Sequence, residues 1–287
     1  KRPFSLMLDA FADTCFVMPE RIAATDAFTQ IGDYVGSGPY RFVRAEWVSG
    51  SQAIYVKNEA YRPRAEAPSF IAGGKVVHFD RVEWRIMPDP ATAVSALTNN
   101  EVDWVQQPQV DLLGLMRRNR QIRVAVNDKV GVTGMIALNH TQPPFNNQKL
   151  RQAVMAALNQ QDFVNAALGA EPDLYRVPVG TFTPGMPMAN DEAMEVLTSP
   201  RDLERARKMV AESGYANERT VLMAPTDYPA TLAIAQVAND LFKKLGLNVE
   251  FATMDWGTLV QRRTSKAPID QGGWNIFHTW TTSVSIT

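Results

Sequence analysis

Thr220-Val221-Leu222-Met223-Ala224-Pro225 is followed by Leu232, Ala235, Leu241 and Leu245 at helical spacing and then by Leu247-Asn248-Val249-Glu250-Phe251. That order reads as strand, helix, strand. Gly272-Gly273-Trp274-Asn275-Ile276-Phe277-His278-Thr279-Trp280-Thr281-Thr282-Ser283 adds another short strand, Trp274 to His278, with two indoles and several small polar groups at its end. A βαβα unit of this kind presents ligands at the carboxyl ends of its strands, which is where Trp280 falls. Both indoles also suit a core, where each needs a partner for its N–H.

Upstream, Gly134-Met135-Ile136-Ala137-Leu138-Asn139 reads as a strand and Pro143 to Asn147 as a turn. A helix is expected over Lys149 to Leu158, with Leu150, Val154 and Leu158 on one stripe. Asn159 is expected to cap the next helix, Asp162 to Leu168, and Gly169 to end it. Ser199 is expected to cap a helix burying Leu203, Ala206 and Val210, with Gly214 as its stop. In the first half, Tyr34 to Val43 reads as a turn and strand, and Ile54 to Val56 as a second strand. Asp80 to Ile86 reads as a third, with Val82, Trp84 and Ile86 on one face. Asp89 and Pro90 then open a helix whose apolar face carries Val94 and Leu97; Asn100 follows in a left-handed position before a strand, Val102 to Val105. The fold class is α/β, and no repeat of 20 to 50 residues occurs.

Composition narrows the function. The chain has 287 residues, 45% of them hydrophobic, so it can bury a sizeable core. The 29 Lys and Arg nearly cancel the 30 Asp and Glu, leaving a net charge of −1, and no basic stripe points to nucleic acid. One cysteine, Cys15, excludes an internal disulfide framework and a thiolate zinc cluster. No stretch approaches the length of a membrane span. His78, His140 and His278 are far apart and form no metal motif, so neither a metal nor a cofactor is expected. Gly36-Ser37-Gly38-Pro39 lacks the third glycine of a dinucleotide loop and reads as a tight turn. With no nucleophile elbow and no phosphate loop, an enzyme is not expected.

The order of motifs is more specific than any one of them. Gly36-Ser37-Gly38-Pro39-Tyr40-Arg41-Phe42, Asn58-Glu59-Ala60-Tyr61-Arg62, Asp89 to Asp103, Leu138-Asn139, Pro144-Phe145, Leu150-Arg151-Gln152-Ala153 and Arg205 to Tyr215 together resemble the family 5 extracellular solute-binding proteins. These are the peptide- and nickel-type binding components of ABC importers. The resemblance implies a two-lobed, type II periplasmic-binding-protein fold, a venus flytrap of the large cluster with an extra domain, present here in part. Residues 1–135 would be the middle part of the first lobe and residues 136–287 most of the second. The abrupt start at Lys1-Arg2-Pro3 fits a fragment or processed product. The implied function is capture of a peptide or similar polar solute between the lobes and delivery to an inner-membrane ABC permease, in the periplasm or from a lipid anchor. The same fold also serves as the ligand-sensing effector domain of some transcription regulators, where an upstream DNA-binding region would decide.

Strand ends and the loops after them carry binding groups on such folds, which nominates Asn139, Tyr228, Trp280 and Thr281. Relatives that bind dipeptides hold the two charged termini with an arginine and an aspartate, at positions matched here by Tyr228 and Ser283. Neither is charged, and Asp227 has the wrong sign for a carboxylate clamp. The expected ligand is therefore a longer peptide held by its backbone, or an opine or sugar, and not a zwitterionic dipeptide.

Overall fold

The computed structural model describes residues 17–26, 29, 31–69, 72–169, 171–186 and 188–282. The chain divides into two compact units, residues 1–102 and 103–287. In the first, a single helical turn, α1 (Glu20–Ala23), precedes a sheet of β1 (Tyr40–Phe42), β2 (Gln52–Lys57) and β3 (Arg81–Arg85), each antiparallel to its neighbour. The Phe42 and Tyr55 rings, opposite each other across β1 and β2, stand 5.5 Å apart, and Ile54 is fully buried. Glu46, Arg81, Glu83 and Arg85 form a chain of ion pairs, which holds both carboxylates below their usual range through the guanidinium hydrogen bonds. Helix α2 (Pro90–Thr98) opens as expected: Asp89 accepts from the Thr92 backbone N–H and Pro90 occupies the first turn. Asn100 adopts φ 60°, the left-handed conformation expected of it.

Of the residues expected on one face of β3, Trp84 and Ile86 are exposed, and Ile86 lies just past the strand's end. One expectation for this region is corrected. Residues 102–105 form no strand; alternation over four residues is too short to build a ladder without a neighbouring strand to pair with.

The second unit begins with α3 (Val110–Arg118) and builds one sheet. Its elements are β4 (Val132–Leu138), α4 (Gln148–Ala157), α5 (Gln160–Leu168), α6 (Glu195–Thr198), α7 (Leu203–Glu212), β5 (Arg219–Pro225), α8 (Pro229–Lys244), β6 (Asn248–Met254), α9 (Trp256–Arg262) and β7 (Ile276–Thr282). Strand order is β4-β7-β5-β6. β5 runs parallel to β6 and β7, while β4 is antiparallel to β7 along its whole length, from Val132 opposite Thr282 to Leu138 opposite Ile276. The division expected after residue 135 therefore falls inside β4.

Helices cover both faces of this sheet. On one, Phe145, Leu150, Val154, Phe242 and Ile276 pack with Leu222 and Ala224 beneath α4, α7 and α8; on the other, Val221, Met223 and Phe277 meet Leu259 of α9. β5 alternates between the two cores, and for that reason its run Val221 to Ala224 is apolar on both faces. Asn147, Asn159 and Asp255 cap α4, α5 and α9. Helix α7 is capped by Asp202, whose carboxylate accepts from the Arg205 N–H, and not by Ser199, which instead closes α6. The residue before Pro200 is held extended, so the helix starts three residues later than the serine suggests.

Candidate functional site

Parallel β5, β6 and β7 end at the same side of the sheet; Tyr228 and Trp256 follow β5 and β6 there, and Trp280 lies in the last residues of β7. Tyr228 leaves β5 as the residue before α8, with 40% of its surface exposed. Trp256 opens α9 directly after β6, and the two rings stand 5.4 Å apart, inclined at 51°. Asp227 is engaged in this corner, its carboxylate accepting from the Trp256 backbone N–H at 2.8 Å. Trp280 lies three residues past Phe277, the last residue of β7 that β5 pairs, and is 41% exposed.

Beyond Phe277, β7 continues to Thr282 with β4 on one side; on the other side β5 has already turned away after Pro225. Among the described residues this leaves no strand along the β5-facing edge of the last residues of β7. Backbone groups along an uncovered strand edge are a template for another extended chain. Thr281 lies opposite Thr133, and Trp280 opposite Gly134, where open space replaces a side chain.

Trp280, Thr281 and Tyr228 thus share one end of the sheet, whereas Asn139 does not. It follows β4, which runs the other way, and its N–H donates to the Asn275 carbonyl at the opposite end. Five residues separate it from Gly134, about 17 Å along a strand. Its amide nitrogen donates to the Trp274 carbonyl, and its oxygen accepts from the Thr141 N–H and hydroxyl, so the side chain is committed to holding the chain there. Ser283 lies outside the described residues. Trp274 is half-buried against the second core, its indole N–H donating to the Arg263 carbonyl at 2.8 Å and its ring edge-on to Phe277.

Sequence reasoning missed Trp256. Its pairing with Tyr228 joins residues 28 positions apart, and the available signal was that both follow parallel strands with an acidic residue immediately before them. It also missed Asn275, fully buried, whose amide oxygen accepts from the Val221 N–H at 2.8 Å and whose nitrogen donates to the Pro143 carbonyl at 2.7 Å. No cluster of three or more His, Cys, Asp or Glu able to hold a metal ion occurs among the described residues. No helix among them is long and apolar enough to cross a membrane. The site can offer ring faces, hydroxyls and backbone hydrogen bonds; its carboxylates among the described residues, Asp227 and Asp255, are already engaged by the Trp256 N–H and by Thr258.

The chain is similar to several known proteins. A probable peptide ABC transporter periplasmic-binding protein, y4tO, of Sinorhizobium fredii is 35% identical over 266 residues, covering 92% of this chain and 50% of the relative. The glutathione-binding protein GsiB of Escherichia coli (strain K12) is 24% identical over 285 residues, 99% of this chain and 52% of its own. The chain spans about half the length of the curated relatives it matches. Among solved structures, DppA of Helicobacter pylori in complex with the peptide STSA superposes with a TM-score of 0.66 at 20% identity, covering 86% of this chain and 43% of that one. AgaA from A. tumefacien R10, in complex with agropinic acid, gives a TM-score of 0.66 at 18% identity over 96% and 48% of the two chains. These likenesses show the fold, that of type II periplasmic binding proteins. Residues 1–286 match the profile of the middle region of the bacterial extracellular solute-binding proteins, family 5, and the chain belongs to that family.

Proposed function

We propose that the protein is the solute-binding receptor of an ABC importer, taking up a peptide or similar polar solute outside the cytoplasmic membrane and passing it to a permease. It works in the periplasm or tethered by a lipid anchor. The observation that carries this reading is the stretch of β7 past Phe277, where no strand among the described residues lies on the β5 side and Trp280 is exposed, in a chain of the solute-binding family. An extended ligand laid along that edge continues the ladder where β5 stops, with Trp280 and the Tyr228–Trp256 pair giving apolar surface beside it. Thr281 belongs to the same end; Ser283, which lies outside the described residues, is nominated from the sequence alone, and Asn139 supports the far end of the strand. The matched relatives are transport receptors, which favours this reading over an effector domain of a transcription regulator. In the full receptor this chain supplies the middle part of one lobe and most of the other, and a solute is trapped when the lobes close.

The ligand class follows from the chemistry at the strand ends. With Tyr228 in place and Asp227 engaged by the Trp256 N–H, the site does not depend on pairing two charged ligand termini. A thermal-shift panel of free dipeptides, free tetrapeptides, end-capped tetrapeptides, agropinic acid and monosaccharides tests this. Stabilisation by tetrapeptides that survives end-capping, or by agropinic acid or a sugar, is the expected result. Stabilisation by free dipeptides alone, lost on capping either end, contradicts it.

A further inference from the structure

His278 lies at the centre of β7, opposite Ile136 of β4 and on the side of the sheet that Ile276 and α8 share. It is fully buried, and neither ring nitrogen has a hydrogen-bond partner. A neutral imidazole is tolerated there; an imidazolium with no acceptor is not. Among the described residues, the elements packed against β7 offer it no compensating charge. β4 has no titratable residue, and β5 has only Arg219 at its first position, bound to Glu250 on β6. The charged residues of α8, Asp240, Lys243 and Lys244, are exposed, and Tyr228 stands at the head of that helix.

We propose that His278 makes the end of β7 an acid-sensitive element: taking up a proton requires the strand to leave the sheet, and Trp280, two residues along, leaves with it. Solute binding at that strand end is then lost in acid before the rest of the unit unfolds. This regulatory role rests on the reading of Trp280 as a binding residue; the protonation step itself does not. Opening breaks the seven-position ladder of β7 with β4 and its two positions with β5, whereas β5 keeps its own ladder with β6 along all seven residues and its packing against α8, so residues 219–225 stay closed.

The direction of the effect follows from proton linkage. Burial pushes the His278 imidazole from 6.5 down to about 3, so the opened strand binds a proton that the closed one refuses. Closure is at full strength above pH 6.5 and weakens as the pH falls from there toward 3, with the opening constant rising about tenfold per pH unit. Hydrogen exchange of the purified protein without ligand, read by mass spectrometry between pH 7 and 4 and corrected for the intrinsic exchange rate, measures this directly. Residues 276–282 are expected to open with that slope while residues 219–225 stay protected, and His278→Leu is expected to flatten the slope. A flat profile in the wild type overturns the proposal, as does a slope that persists in His278→Leu or opening of 219–225 in step with 276–282. Should His278→Leu not fold, the wild-type profile decides by itself. Because no solute is present, the result is independent of the ligand assignment, which Trp280→Ala tests separately in the thermal-shift panel.

Discussion

Asn275 shows how much a single residue can hold in place here. Its side chain joins the Val221 N–H of β5 to the Pro143 carbonyl, while its backbone N–H donates to the Val221 carbonyl and its own carbonyl accepts from Asn139. Asn275→Ala leaves a buried donor and a buried acceptor without partners, and we predict a loss of about 3 kcal/mol in chemical denaturation, at one to three per orphaned group. An unchanged midpoint would mean that the loop at Pro143 relaxes to water. Asn139, which the sequence suggests as a ligand contact, is committed to the Trp274 carbonyl and Thr141. Asn139→Ala is accordingly expected to lower the melting temperature while leaving the relative ranking of ligands unchanged. Reordered ligand preferences would show that the side chain reaches the solute. Spacing marked Asn139 as a strand-end residue but could not say at which end, because that depends on β4 running antiparallel to β7.

At the scale of elements, the helix starts separate two readings of one stretch. Asp202 accepts from the Arg205 N–H, whereas Ser199 makes no capping contact with α7. Asp202→Ala should therefore cost about 1 kcal/mol, the usual worth of an N-cap, and Ser199→Ala only a few tenths; the reverse order in urea melts would restore the serine as the cap. In the core, Leu222→Ala in β5 removes a fully buried side chain packed beneath the helices and is expected to cost roughly 2–5 kcal/mol. A cost below about 1 kcal/mol would argue against that packing. Much of this layer was legible because it is local. The Asp89, Lys149-to-Leu158 and Asn159 signals, the apolar run of β5 and the left-handed Asn100 are all read within a few residues. What was not legible is relational. Residues 102–105 have the alternation of a strand but pair with no strand among the described residues, Trp84 and Ile86 alternate with Val82 but are exposed, and the Tyr228–Trp256 contact exists only because β5 and β6 are parallel neighbours.

For the whole molecule, the ordered set of weak motifs carried more than any one of them, and the family it pointed to is the family the chain belongs to. Placement of the proposed binding residues depends on sheet topology, which brings Tyr228, Trp280 and Thr281 to one end and sends Asn139 to the other. The central claim is that solute binds at the carboxyl ends of β5 and β7, against Trp280. The most direct test is titration calorimetry of the wild type and Trp280→Ala with the strongest ligand from the thermal-shift panel, at neutral pH where His278 holds no proton. Loss of an aromatic binding anchor typically costs 2 kcal/mol or more, so affinity should fall by about thirtyfold, with the melting temperature of the unliganded protein nearly unchanged because the indole is exposed. Equal affinity and equal binding heat in the two proteins would contradict the account and place the solute elsewhere.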